Sequence, residues 1–244
     1  MPHVAATSGP RESLLAGAPP RETPFVLFEE AARHVADRYR SRSAYWYVRS
    51  KLALDPVARA LVERGQASSF GVVHDIAAGR GQVALLLRVT GVATAVTGID
   101  WDAEKVAIAS EAASGLDGVS FAHGDVREAE IPEADTVLLV DILHYLTHEE
   151  QHSLLVRAAR ATRDRVIVRD VDPDRGASSV LTQSWEWVTT TLGYNRGARV
   201  APQSFAELTS ILEREGLAVS RELCSAKGMS NALLVGRRQV DIAR

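Results

Sequence analysis

A chain of 244 residues, 46% hydrophobic and 24% charged, suits one α/β domain with embellishments and a sizeable buried core. A formal charge of −3 and a pI near 6.2 leave no basic footprint for a nucleic-acid binder, and a single cysteine, Cys224, excludes an internal disulfide framework. No run approaches the ~18 apolar residues of a membrane span, and residues 1–24 lack the continuous apolar core of a signal peptide. The expectation is a soluble protein of a reducing cytoplasm.

Residues 1–23, rich in Ala, Gly, Pro and Arg without periodicity, read as a disordered leader. From Pro24 to about Arg40 the residues Phe25, Phe28, Ala31, Ala32 and Val35 recur at helical spacing. A second helical region, about Ala44–Arg64, carries Tyr45, Trp46 and Tyr47, and Pro56 breaks it or starts a new helix after Asp55. Residues 24–67 are therefore expected to form an N-terminal helical cap beside the main sheet.

From Gly71 strands and helices alternate. Val72–Ile76 reads as strand, Gln82–Val89 as helix, Ala95–Ile99 as strand, Asp102–Ala113 as helix and Val119–Ala122 as a short strand. The continuously apolar run 136–140, T-V-L-L-V, predicts a buried strand. Thr147-His148-Glu149-Glu150 has the form of a capping box, and Arg165–Val168 is the fifth strand. Pro202 is expected to start a helix lined by Phe205, Leu208 and Leu212 and ended by Gly216, before a final strand pair at Leu217–Leu223 and Asn231–Val235. The predicted fold is α/β, a doubly wound Rossmann-like seven-stranded sheet closed by a C-terminal antiparallel pair. Residues 68–238 form its main domain, with a cap insertion at about 175–200.

The loop Gly79-Arg80-Gly81-Gln82-Val83-Ala84 fits G-x-G-x-x-G/A, with Asp100 about twenty residues on, as in dinucleotide sites. The register argues otherwise. The strand ends in an acid, Asp75, and Gly79 comes only four positions later, whereas a dinucleotide glycine follows its apolar strand directly.

The order Asp75-Ile76-Ala77-Ala78-Gly79-Arg80-Gly81 resembles the first motif of class I S-adenosylmethionine-dependent methyltransferases, whose members usually have glycine where Ala77 stands. A methyl group there is expected to be tolerated if φ stays negative, while narrowing the space beside the methionine moiety. Ile99-Asp100-Trp101 resembles the second motif, which implies that Asp100 accepts from both ribose hydroxyls and Trp101 lies against the adenine. Gly124-Asp125-Val126 resembles the third, where a carboxylate accepts from the adenine amino group and the next amide donates to the ring. Asp141 falls at the fourth, near the methionine end. The resemblance spans roughly residues 68–238 and implies S-adenosyl-L-methionine as cofactor, held by Asp75, Ala77, Gly79, Gly81, Asp100, Trp101, Asp125, Val126 and Asp141.

In open α/β sheets ligands sit beyond the carboxyl ends of the strands, which here read Asp141-Ile142-Leu143-His144-Tyr145 and Arg169-Asp170-Val171-Asp172. His144 is the general-base candidate because its ordinary pKa lies near neutrality, with Asp170 as the second candidate for the chemistry; structurally read, His144 is an anchor at a helix entry. Tyr145 and Arg169 are expected beside the acceptor. Trp187 in the insertion, and Tyr45, Tyr47 and Arg49 in the cap, are candidates to line or cover it; helix packing is their competing reading. His144, His148 and His152 recur every four residues, but Thr147 as a cap places His144 outside the helix. Asp141 and Asp170 are reminiscent of catechol-type O-methyltransferases, whose carboxylates hold Mg²⁺, though Asp141 has a competing cofactor role. No metal site is assigned.

The sequence lacks the Asn/Asp-Pro-Pro-aromatic turn of base amino-methyltransferases after strand four. The reading is a methyltransferase acting on a small-molecule acceptor, by O-methylation in secondary or lipid-like metabolism, without nucleic-acid partner or membrane span. The alternatives are an NAD(P)-dependent oxidoreductase using the same loop and a non-catalytic cofactor-binding member of the fold.

Overall fold

The structure, a computed structural model, describes residues 28–173, 202–224 and 231–239. The leader 1–23, Trp187 and the insertion at 175–200 lie outside the described residues. Among the described residues no helix is long and apolar enough to cross a membrane.

Three helices come first: α1 (Phe28–Asp37), α2 (Arg42–Leu54) and α3 (Pro56–Ala67). Asp55 separates the last two. Its extended backbone ends α2, its carboxylate accepts from the Val57 amide at 3.1 Å, and Pro56 occupies the first helical position, where no amide is needed. A seven-stranded sheet follows in the order β3-β2-β1-β4-β5-β7-β6. Strands β1 (Gly71–Ile76), β2 (Ala93–Asp100), β3 (Val119–His123), β4 (Ala134–Val140) and β5 (Thr162–Val171) are parallel, whereas β7 (Asn231–Arg238) runs antiparallel to β5 and to β6 (Leu217–Leu223). The helices between are α4 (Gln82–Val89), α5 (Ala103–Ala113), α6 (His148–Ala161) and α7 (Phe205–Arg214).

Two apolar layers cover the sheet. One joins α1–α4 to one face through Val35, Val48, Leu61, Leu85 and Val96; the other joins α6 and α7 to the opposite face through Leu139, Leu154, Val166, Phe205 and Leu234. The run 136–140 is uniformly apolar after its threonine because both faces of β4 are covered: Val137 and Leu139 are fully buried in one layer and Leu138 in the other.

Thr147 and Glu150 make the reciprocal capping box that opens α6. The start of α7 differs from expectation. Ser204, not Pro202, caps it, because Ser204 and Glu207 form a second capping box that supplies the acceptor a proline cannot. β1 lies between β2 and β4, so the chain departs to opposite sides of the sheet there and leaves a crevice beyond the ends of β1 and β4.

Candidate cofactor and acceptor site

Two acids meet at the crevice, and among the described residues no cation pairs with them. Asp75, in β1, is only 3% exposed, and Asp100 ends β2 at 5%. One Asp100 oxygen accepts from the Gly79 amide at 2.7 Å and the other from the Asp102 amide at 3.0 Å. Among the described residues neither acid has a salt bridge. Burial, reinforced by the Asp100 charge, pushes the Asp75 carboxyl up to about 7.

The two loop glycines differ in purpose. Gly79 has φ +58°, and a side chain built there meets none of the described residues within 4 Å. Gly81, at φ +77°, is pressed against its neighbours: an added Cβ falls 2.5 Å from Phe121 and 3.0 Å from Ala109. Its lack of a side chain serves the packing of α4 on α5 and β3. Ala77 departs from the negative φ expected of it, adopting +61°. It sits in the left-handed region that the family's usual glycine tolerates, at a cost of about 1–2 kcal/mol for a residue with a Cβ.

Trp101, 37% exposed, follows Asp100, and its carbonyl is bonded to His123 Nε2 at 2.8 Å. Asp125 is engaged by Arg127, which donates from its amide at 2.9 Å and from Nε at 2.9 and 3.0 Å. That guanidinium holds the Asp125 carboxyl below the usual carboxylate range. Val126, beside it, is buried.

The ends of β4 and β5 carry a different arrangement. Asp141 has φ +56°, and its carboxylate accepts from Arg169 Nη1. Arg169, buried at the end of β5, uses Nη2 on Asp55 at 3.1 Å. Lys51 of α2 closes the network, 2.8 Å from Asp55 and 3.8 Å from Asp141. Burial opposes the Lys51 charge, but Asp141 and Asp55 outweigh it and raise its pKa. Two cations thus neutralise two anions across the junction of cap and sheet.

Next to this network His144 Nδ1 lies 2.6 Å from Asp170 Oδ1. Asp170 also accepts from the Val171 amide at 2.7 Å and the His144 amide at 3.3 Å. Both side chains are buried. Burial pushes the His144 pKa down, but the Asp170 charge and hydrogen bond prevail and raise it; burial pushes Asp170 up, and the imidazole prevails and lowers it. The Tyr145 ring packs 4.1 Å from the imidazole, and burial pushes its phenol well up, with Asp141, Asp170 and Tyr47 adding to the shift.

The cap reaches the glycine loop directly. Tyr39 Oη donates to the Arg80 carbonyl at 2.7 Å, and the Arg80 guanidinium lies 4.3 Å over the Tyr47 ring. Of the cap candidates, Tyr47 is brought to the crevice together with Tyr145, His144, Asp141, Arg169 and Asp170. Tyr45 packs in the core layer and edge-on to Trp46, and Arg49 is exposed. Helical geometry separates the two groups, since Tyr47 and Lys51 share one face while Tyr45 and Arg49 lie two residues off it. Arg169, expected to line an acceptor pocket, has both terminal nitrogens committed to carboxylates.

Sequence reasoning missed Tyr39 and Asp55. Asp55 announced itself as a helix boundary, but its partner Arg169 is 114 residues away in sequence, and no local pattern signals that pairing. Asp141 and Asp170 each face their own cationic or imidazole partner, and among the described residues no group of three or more His, Cys, Asp or Glu could hold a metal ion.

Residues 73–165 match the family model described as a methyltransferase domain. Solved structures share the architecture. The magnesium protoporphyrin IX methyltransferase of Synechocystis PCC 6803 with bound SAH has a TM-score of 0.58 at 19% identity, covering 83% of this chain and 94% of its own. An O-methyltransferase family protein from Burkholderia thailandensis gives 0.63 at 20%, covering 88% and 64%. A DhpI–SAH complex gives 0.57 at 22%, covering 86% and 97%. Likeness at these identities establishes the fold. No curated protein matches the chain.

Proposed function

We propose that this chain, which has the fold of S-adenosylmethionine-dependent methyltransferases, methylates a hydroxyl oxygen of a small molecule, with His144 as general base. The observation that carries this reading is the buried His144–Asp170 pair beside the crevice. A carboxylate at Nδ1 fixes the ring proton there and turns the Nε2 lone pair outward to accept. Asp170 then stabilises the imidazolium that forms when the acceptor loses its proton.

The crevice suits S-adenosyl-L-methionine on its own chemistry. Asp100, with no cationic partner among the described residues, and the neighbouring acid Asp75, which a nearby positive charge would help to ionise, suit a ligand that carries positive charge and two ribose hydroxyls, and Gly79 leaves room beside them. The same acids would repel a pyrophosphate, which disfavours the nicotinamide alternative. When bound, the cofactor supplies a methyl group on a sulfonium. Asp100 would hold the ribose, Trp101 would cover the adenine, and Asp125 with the Val126 amide would meet its edge. Tyr145 and Tyr47 would flank the acceptor, and the Lys51–Asp55–Asp141–Arg169 network would fix the cap helix against the strand ends. Two aromatic walls beside a buried base favour a planar or lipid-like alcohol, phenol or enol.

Calorimetry with S-adenosylhomocysteine and with NAD(P) tests the cofactor, and methyl transfer to a panel of hydroxylated acceptors tests the reaction. Binding of the first alone, with turnover on a hydroxyl and not on its amine counterpart, is the expected result. NAD(P) binding, or turnover on amines only, would overturn the reading.

A further inference from the structure

Asp125 begins a helical turn, in which the amides of Glu128 and Ala129 both donate to the Asp125 carbonyl, at 3.1 and 2.8 Å. A single turn leaves its later carbonyls without partners along the chain. Two of them are met from outside. Arg157, on α6, donates from Nη2 to the Val126 carbonyl at 2.6 Å and from Nη1 to the Ala129 carbonyl at 2.7 Å. Its Nε is buried with no partner among the described residues, so the guanidinium is committed to these two acceptors. The first turn of α6 grips the same loop again through Glu150, 3.7 Å from Arg127, which in turn holds Asp125.

Fixing the Val126 carbonyl fixes the plane of the following peptide and, with the Asp125 turn, the direction in which the Asp125 carboxylate and the Val126 amide point. We propose that Arg157 is a positioning residue for base recognition: it holds the 125–129 turn so that Asp125 and Val126 can discriminate an adenine edge. The proposal rests on the cofactor reading above. Arg157 touches neither the sulfonium end nor the His144–Asp170 pair, so its effect should fall on cofactor affinity and base preference while the chemical step is spared.

The test compares wild type, Arg157→Met and Arg157→Lys, using S-adenosylhomocysteine and its hypoxanthine analogue in calorimetry, methyl-transfer kinetics, and amide hydrogen exchange of the ligand-free protein. Arg157→Met should bind S-adenosylhomocysteine about tenfold more weakly and lose most of the adenine preference. Its kcat at saturating cofactor should stay unchanged, and exchange should accelerate over residues 126–129 but not in β1. Arg157→Lys, able to reach one carbonyl, should recover part of the loss; should the methionine variant not fold, the lysine variant decides by the same readings. A wild type that binds adenine cofactor while the variants keep its affinity and base preference overturns this proposal alone. A fall in kcat equal to the fall in affinity also overturns it, as a general structural effect. A wild type that binds neither ligand overturns the cofactor reading and this proposal with it.

Discussion

The halves of the crevice handle charge in opposite ways. Beyond β1 and β2, Asp100 accepts from the Gly79 and Asp102 amides, its charge adds to the burial of Asp75, and among the described residues neither acid has a salt bridge. Beyond β4 and β5, Asp141, Asp55 and Asp170 are matched by Arg169, Lys51 and His144. The first half carries a charge imbalance that a cationic, hydroxyl-bearing ligand would relieve; the second is complete before any ligand arrives. Backbone strain marks both. Among the described residues the non-glycine positions with positive φ are Ala77 and Asp141, following the adjacent strands β1 and β4. Strained residues of this kind persist where the surroundings over-determine them, often at functional sites. One half is thus built to be completed and the other to be already in place.

The largest expected effect lies in the completed half. His144→Ala should lower kcat by roughly 10²–10⁴-fold while leaving S-adenosylhomocysteine affinity nearly unchanged. With His144 as the proposed base the neutral imidazole would be the active form, and Asp170 raises its pKa, so the wild-type rate should fall as pH drops through a value above the ordinary 6.5. Asp170→Asn should move that limb to lower pH. A pH–rate profile of the alanine variant that retains the limb would assign the base elsewhere and reduce the pair to an anchor.

Asp100→Ala probes the incomplete half. Removing a carboxylate that accepts two hydroxyls costs roughly 2–3 kcal/mol, or about 30- to 150-fold in cofactor affinity. Calorimetry showing no loss would mean that the uncompensated acids of this half are not waiting for a ribose.

The two halves were unequally legible in the sequence. The acids Asp75, Asp100, Asp125 and Asp141 stand at strand ends within short motifs, and strand alternation placed them in order along the sheet. Strand boundaries shifted by only a few residues, as where β5 extends to Thr162–Val171 around the expected Arg165–Val168. What was not legible depended on contacts distant in sequence or on backbone angles. The Arg169–Asp55 pairing joins a cap boundary to a strand end, and the Tyr39–Arg80 bond spans 41 residues. The left-handed Ala77 defied expectation because alanine gives no sign of the φ that its neighbours impose.

Asp75 allows a test of the imbalance without any ligand. Its folded pKa, about 7, exceeds its ordinary 3.8, so the folded chain holds a proton that the unfolded chain has lost. Its contribution therefore makes stability fall as pH rises from about 4 to about 7, by an amount on the order of a few kcal/mol. Asp75→Asn removes this titration. Denaturant melts should find the variant more stable than wild type at pH 8, with the gap closing toward pH 4. A constant gap across that range would show that Asp100 and burial do not load Asp75 in this way.

The smallest effect sharpens the comparison of strain. Ala77 at φ +61° bears the Cβ clash of the left-handed region, about 1–2 kcal/mol, which glycine would not. Glycine in turn loses more conformational freedom on folding, about 0.5–1 kcal/mol. The difference favours Ala77→Gly by up to about 1 kcal/mol, or a rise of about 2–4 °C in Tm for a chain of this size. Ala77→Val should fall the other way and further, because a branched Cβ is worse placed at positive φ. The opposing signs of the pair matter more than either size. If both variants lower Tm equally, the methyl of Ala77 stabilises by packing against the Ile76–Val126 layer more than its backbone costs. If glycine raises Tm and also tightens S-adenosylhomocysteine binding, the strain at β1 is a cost of the alanine alone, and the crevice works better without it.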